Sequence, residues 1–196
     1  MQTSSTPPPA AQAELFVDHT VDSAPPDARR TILATRERLG YLPSAVARMA
    51  SSPQLLNTFL RSSAAFEATS LDPVAQEVLI MTIAVRNRCQ VCVAMHTAAL
   101  ARHGADEVAR ALRIGAPLVD PRLQAIRRFT EHAMDDPAAV QGATLAEFLG
   151  HGFTPRHALE VVLGIGVYTM STLANRMTGA PLDEPLRRFA WDERIA

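Results

Sequence analysis

Apolar residues recur along this chain every three to four positions, and proline, glycine and short polar stretches cut the pattern into helix-sized pieces. The first predicted helix runs from Ala28 to Leu39, after Pro25, Pro26 and Asp27, and stops at Gly40. Pro43 opens a short second helix that ends near Ala50. Ser51, Ser52 and Pro53 start a third that reaches about Phe66. Asp72, ahead of Pro73, is an N-cap for a fourth. From Val78 to Val85 that helix is apolar on nearly every side, the pattern of a helix buried all round. Arg86, Asn87 and Arg88 end or kink it, and Cys89 to His103 follows as a separate helix stopped by Gly104. The spacing then predicts helices over Asp106 to Ile114, Pro121 to Met134 and Thr144 to Leu149, the last with Thr144 and Glu147 as a capping box. Thr154 and Pro155 start a long final helix to about Met177, and a turn with a short amphipathic segment completes the chain. No stretch alternates as a strand does, and no internal repeat is present. The expectation is an all-α fold: one compact multi-helix domain over residues 25–196, after a Pro-, Ser- and Thr-rich tail over 1–24 that is disordered or extended.

Composition narrows the function classes. With 196 residues, 47% hydrophobic and 20% charged, the chain can bury a core without covalent staples. A net charge of −1, with basic residues in nothing larger than pairs such as Arg127 and Arg128, argues against a nucleic-acid partner. The N-terminus has neither the basic nor the apolar region of a signal peptide. No run reaches the ~18 apolar residues of a membrane span; Val78 to Val85 is short and interrupted by Thr82. The expected location is the cytoplasm, where a close cysteine pair is catalytic, redox-active or metal-binding rather than a structural staple.

The two cysteines, Cys89 and Cys92, are the only ones in the chain, and His96 stands four residues beyond the second. On a helix, Cys92 and His96 share a face and Cys89 lies one turn before Cys92. The arrangement suits thiol chemistry: a thiolate, a second thiol to resolve it and a base to move the proton. Cys89, placed in the first helical turn, gains from the helix dipole, and Cys92 from His96. Burial of both as small apolar side chains is the plain alternative. Zinc bound by Cys89, Cys92 and His96, with Glu77 or water, is another, though one helix face wraps a tetrahedral ion poorly. The absence of a βαβ pattern removes a thioredoxin-like reading. Glu77, early in the apolar fourth helix, is either a solvent-facing carboxylate or a partner for His96. His103, His132, His151 and His157 read as solvated or capping residues; Tyr168 and Asn175, seven apart on the last helix, either line a pocket or pack and hydrogen-bond inside it, with packing the preferred reading.

Glu77, eleven residues, then Cys89, Cys92 and His96 at this spacing resembles the alkylhydroperoxidase D-like proteins of the carboxymuconolactone decarboxylase superfamily. Gly40 to Pro43 and Ser52 to Leu56 are similar to that superfamily's N-terminal helix pair, and Asn175 with Gly179 to Asp183 to its C-terminal signature, so the resemblance spans about residues 27–185. It implies an all-helical, oligomeric protein that reduces an organic hydroperoxide or peroxide. It makes Cys92 the peroxidatic thiol, Cys89 the resolving thiol and Glu77 with His96 a proton relay. No bound cofactor is implied; a dithiol protein supplies the electrons. One departure is that Val91 stands where the alkylhydroperoxidase pattern has a further histidine. The lactone decarboxylases do not depend on such a cysteine pair, so muconolactone decarboxylation is not expected. Competing expectations are a non-catalytic oligomer whose disulfide switches assembly, and the zinc site. A homo-oligomer from dimer to hexamer is expected because one subunit would not cover the 78–85 helix.

Overall fold

Five of the nine α-helices among the described residues begin with proline at the first position, where its missing N–H costs nothing and its fixed φ suits the turn. The computed structural model describes residues 15–192. In order the helices are α1 (Pro26–Leu39), α2 (Ser44–Met49), α3 (Pro53–Glu67), α4 (Pro73–Arg86), α5 (Gln90–Arg102), α6 (Asp106–Arg113), α7 (Pro121–Asp135), α8 (Ala143–Gly150) and α9 (Pro155–Thr178). Short 3-10 turns span Pro137–Val140 and Glu184–Phe189, and no strand is present among the described residues. Ser52, Asp72 and Asp120 accept backbone N–H bonds as side-chain caps. Two local expectations are corrected. α8 starts behind Gly142 with no side-chain cap, so the Thr144 and Glu147 capping box does not form. The box that does form joins Thr154 and His157 at the start of α9. Cys89 is the N-cap of α5 rather than a residue of its first turn.

α4 is the central helix, in contact with α9, α5, α7 and α6. Every residue from Val78 to Ala84 is buried, and the one hydroxyl among them, Thr82, donates to the Val78 carbonyl at 2.7 Å. The chain thus covers its most apolar helix by itself, which removes the reason for expecting an oligomer on that ground. Exposed apolar side chains lie instead on α9: Leu159, Val162, Leu173 and Met177. By length and composition α9, with 24 residues, is apolar enough to cross a membrane, which corrects the expectation that no segment is. Its other face forms core, burying Val161, Val167 and Tyr168.

The expected tail over 1–24 begins outside the described residues, in 1–14. Within 15–24, Asp18 pairs with Arg48 at 2.7 Å, His19 contacts Ser51 at 3.2 Å, and Ala24 is buried. At the other end, Asp183 accepts from the Ser44 hydroxyl at 2.7 Å, and the Trp191 indole donates to the Arg113 carbonyl at 2.9 Å.

Gly164 sets how closely α9 approaches α3 and α4. A Cβ at this position would lie 2.6 Å from Phe66 Cε2 and 2.7 Å from Leu79 Cδ2, and both side chains are fully buried. Gly164→Val is therefore expected to destabilise the fold by about 2–3 kcal/mol through overpacking. Gly166 faces open space, so Gly166→Ala should stabilise by about 0.5–1 kcal/mol through helix propensity. Thermal unfolding of the two variants checks both signs; a neutral Gly164→Val would contradict the packing.

Candidate active site

Three helices bring the site together. α4 supplies Glu77, α5 supplies Cys92 and His96 with Cys89 at its cap, and α9 supplies Tyr168, Ser171 and Asn175. The turn from α4 to α5 is tight because Arg88 takes a left-handed conformation at φ 50°, uncommon for a residue with a side chain. It lets the Cys89 N–H donate to the Ala84 carbonyl at 2.9 Å, while the Asn87 amide donates to Thr172 on α9 at 2.8 Å. The turn is thereby tied to both neighbours, and it fixes where α5 begins.

The Cys89 and Cys92 sulfurs are 2.9 Å apart in hydrogen-bond contact, and both cysteines are buried free thiols. The Cys92 N–H donates to the Cys89 sulfur at 3.4 Å, the N-cap bond of α5. Asn175 Nδ2 donates to the Cys92 sulfur at 3.3 Å. The hydrogen bond from Cys92 pulls the Cys89 thiol down to about 7 against the opposing effect of burial; the Cys92 N–H, Asn175 and the charge of His96 add to the pull. Cys92 is pushed up by that same bond, by its burial and by the charge on Cys89. The pair gives up one proton readily, with the charge resting first on Cys89, and retains the second. The thiolate content of the pair should therefore fall tenfold per pH unit below about 7 and level off at one charge above it. Ultraviolet thiolate absorbance against pH checks this; a midpoint near the ~8.5 of an ordinary thiol would contradict it.

Of the two readings open for Glu77, it is the partner of His96: Oε2 and Nδ1 are 2.8 Å apart, with side chains 16% and 14% exposed. A carboxylate only accepts, so Nδ1 carries the proton between them. Nε2 is then the ring nitrogen left for proton exchange at the site. His96 stands edge-on to the Tyr168 ring at 5.6 Å, and Tyr168 edge-on to Phe66 at 5.5 Å, so the packing around Gly164 holds the imidazole in place. Burial pushes the Tyr168 phenol up to about 12, so it stays neutral. No group of three or more His, Cys, Asp or Glu is placed to hold a metal ion among the described residues, which disfavours the zinc arrangement.

A cavity of about 190 Å³ opens onto these residues. Cys92, His96, Tyr168, Ser171 and Asn175 line it, with Phe59, Leu60 and Met49 among its apolar walls. Cys89 is not in its lining. Tyr168 and Asn175, read from the sequence as packing residues, therefore belong to the site. Their signal was a row of Tyr168, Ser171 and Asn175 at helical spacing, on one face of the last helix.

Residues 51–132 match the model of the carboxymuconolactone decarboxylase family. No curated protein matches the chain in sequence. Among solved structures, it is similar to the alkylhydroperoxidase AhpD core of an uncharacterized peroxidase-related protein from Ralstonia eutropha JMP134, with a TM-score of 0.74 and 22% identity over 87% of this chain and 93% of that one. An uncharacterized peroxidase-related protein from Silicibacter sp. TM1040 has a TM-score of 0.72 and 20% identity over 87% and 92% of the two chains. A cysteine-to-alanine variant of the debrominase Bmp8, in complex with 2,3,4-tribromopyrrole, has a TM-score of 0.64 and 17% identity over 96% of both. At these identities the likeness is one of fold.

Proposed function

We propose that this chain, whose residues 51–132 match the carboxymuconolactone decarboxylase family model, is an alkylhydroperoxidase D-like, thiol-dependent hydroperoxide reductase in which Cys92 is the peroxidatic thiol, Cys89 the resolving thiol, and Glu77 with His96 the proton relay. The observation that carries this reading is the cavity. One sulfur of a close dithiol pair lines it, and so does an imidazole held by a carboxylate. Resting charge favours Cys89, but access favours Cys92, the one of the two that lines the cavity, and on this reading access decides. Across 2.9 Å the remaining proton can exchange between the sulfurs, and His96, in the same cavity wall as Cys92, is the base proposed to take it.

The cycle balances on these groups. The Cys92 thiolate attacks the terminal oxygen of the hydroperoxide; the S–O bond forms as O–O breaks, and the inner oxygen leaves as an alkoxide. His96, having taken the thiol proton, returns it to the alkoxide while Glu77 steadies the imidazolium. Cys89 then attacks the Cys92 sulfenic acid, water leaves and a disulfide forms. A dithiol protein reduces that disulfide, in a compartment such as the cytoplasm where dithiols stay reduced. The apolar walls suit an organic hydroperoxide. The exposed apolar stripe of α9 supports association into a homo-oligomer, dimer to hexamer.

The test is consumption of cumene hydroperoxide by the chain with dithiothreitol as reductant, measured against a Cys89→Ser, Cys92→Ser double variant as the blank. Catalysed turnover well above that blank is expected. Disulfide formation that changes the assembled mass without sustained turnover would favour the redox-switched oligomer instead.

A further inference from the structure

Three buried side-chain polar atoms lack a hydrogen-bond partner among the described residues: Thr97 Oγ1, Thr169 Oγ1 and Asn175 Oδ1. The two hydroxyls can rotate toward carbonyls of their own helices. The amide oxygen of Asn175 has no such recourse. Its NH2 donates to the Cys92 sulfur at 3.3 Å, the orientation that Cys92 needs once it becomes the attacking thiolate, which only accepts. The residue is 5% exposed and lines the cavity beside Cys92 and His96. A buried carbonyl oxygen left unpaired at a reactive sulfur is a costly feature unless something fills it.

We infer that Asn175 Oδ1 accepts a hydrogen bond from the terminal O–H of the hydroperoxide and so holds that oxygen against the Cys92 sulfur. This rests on the hydroperoxide reductase reading and assigns the group that positions its substrate. One amide then performs two tasks, orienting the nucleophile through Nδ2 and the electrophilic oxygen through Oδ1. During attack the terminal oxygen moves to sulfur but keeps its hydrogen. The bond to Oδ1 therefore persists in the Cys92 sulfenic acid, while the inner oxygen departs on the other side toward a proton from His96. Selectivity follows: a peroxide must carry a free O–H to satisfy Oδ1, so hydroperoxides are substrates and dialkyl peroxides are not.

The experiment compares two second-order rates on the reduced chain before and after Asn175→Ala: thiol loss with cumene hydroperoxide, and alkylation by iodoacetamide, which carries no peroxide O–H. If Asn175 binds the peroxide, the cumene hydroperoxide rate falls about tenfold or more beyond any fall in alkylation, the size of one hydrogen bond. If both rates fall by the same factor, Asn175 acts only on the sulfur and the inference is overturned. A second measurement needs no variant. The alcohol in which CH2 replaces the inner oxygen of cumene hydroperoxide should inhibit the unaltered chain roughly tenfold more tightly than its methyl ether; equal inhibition overturns the inference. Failure of the underlying reading looks different, because the unaltered chain would then not react with cumene hydroperoxide at all.

Discussion

Cys92→Ser is expected to lower hydroperoxide consumption by roughly three orders of magnitude or more, the scale on which an enzyme loses its nucleophile. The hydroxyl that replaces the thiol lies in the same cavity wall but neither ionises near neutral pH nor accepts oxygen from a peroxide. Cys89→Ser has a different signature. The sulfur of Cys92 still faces the cavity, so the first turnover proceeds, but no thiol remains 2.9 Å away to resolve the product. The Cys92 sulfenic acid should accumulate to one equivalent and pass to sulfinic acid with excess peroxide. Mass spectrometry with a sulfenic-acid trap reads both results. Trapping on Cys89 in the Cys92→Ser variant, at a rate equal to that of the unaltered chain, would reverse the assignment of roles.

The relay carries the second large effect. His96→Ala should slow alkyl hydroperoxide reduction by about 10²–10⁴-fold, the range of a lost general acid–base group. The loss should depend on the leaving group. An alkoxide needs a proton as it departs, whereas the carboxylate released from a peracid does not. His96→Ala should therefore be far less impaired with a peracid, and added imidazole should restore part of the alkyl hydroperoxide rate. Glu77→Gln should cost less than His96→Ala, because the imidazole remains while the 2.8 Å contact that fixes its tautomer is altered. A loss equal for both peroxide classes would mean that His96 supports the fold of the site and not proton transfer. Stopped-flow rates with matched hydroperoxide and peracid separate the two outcomes.

The helical frame was legible because its punctuation is local. Pro53, Pro73, Pro121 and Pro155 start helices where the prolines stand in the sequence. The nearly all-apolar run from Val78 to Val85 announced a buried helix. The contact of Glu77 with His96 was legible as a spacing and became definite only when α4 packed against α5. Other features depend on tertiary contacts that no local pattern encodes. Whether Thr144 or Thr154 caps a helix depends on where the chain turns at Gly142 and Gly152, and the one candidate box failed while an unnoticed one formed. The wall that covers Val78 to Ala84 comes from four helices of the same chain, so its apolar character did not signal a partner. Asn175 is 83 residues from Cys92 in sequence, and its amide reads as packing until the fold brings it to the Cys92 sulfur. The resting charge on Cys89 likewise follows from a 2.9 Å sulfur contact and not from helix position alone.

The most direct measurement is a single-turnover titration of the fully reduced chain with cumene hydroperoxide, without added reductant. One equivalent should remove two thiols, yield one equivalent of cumyl alcohol and leave a peptide cross-linked between Cys89 and Cys92, with further peroxide left unconsumed. Peroxide loss without loss of thiols, or thiol loss with no Cys89–Cys92 cross-link, would contradict the account.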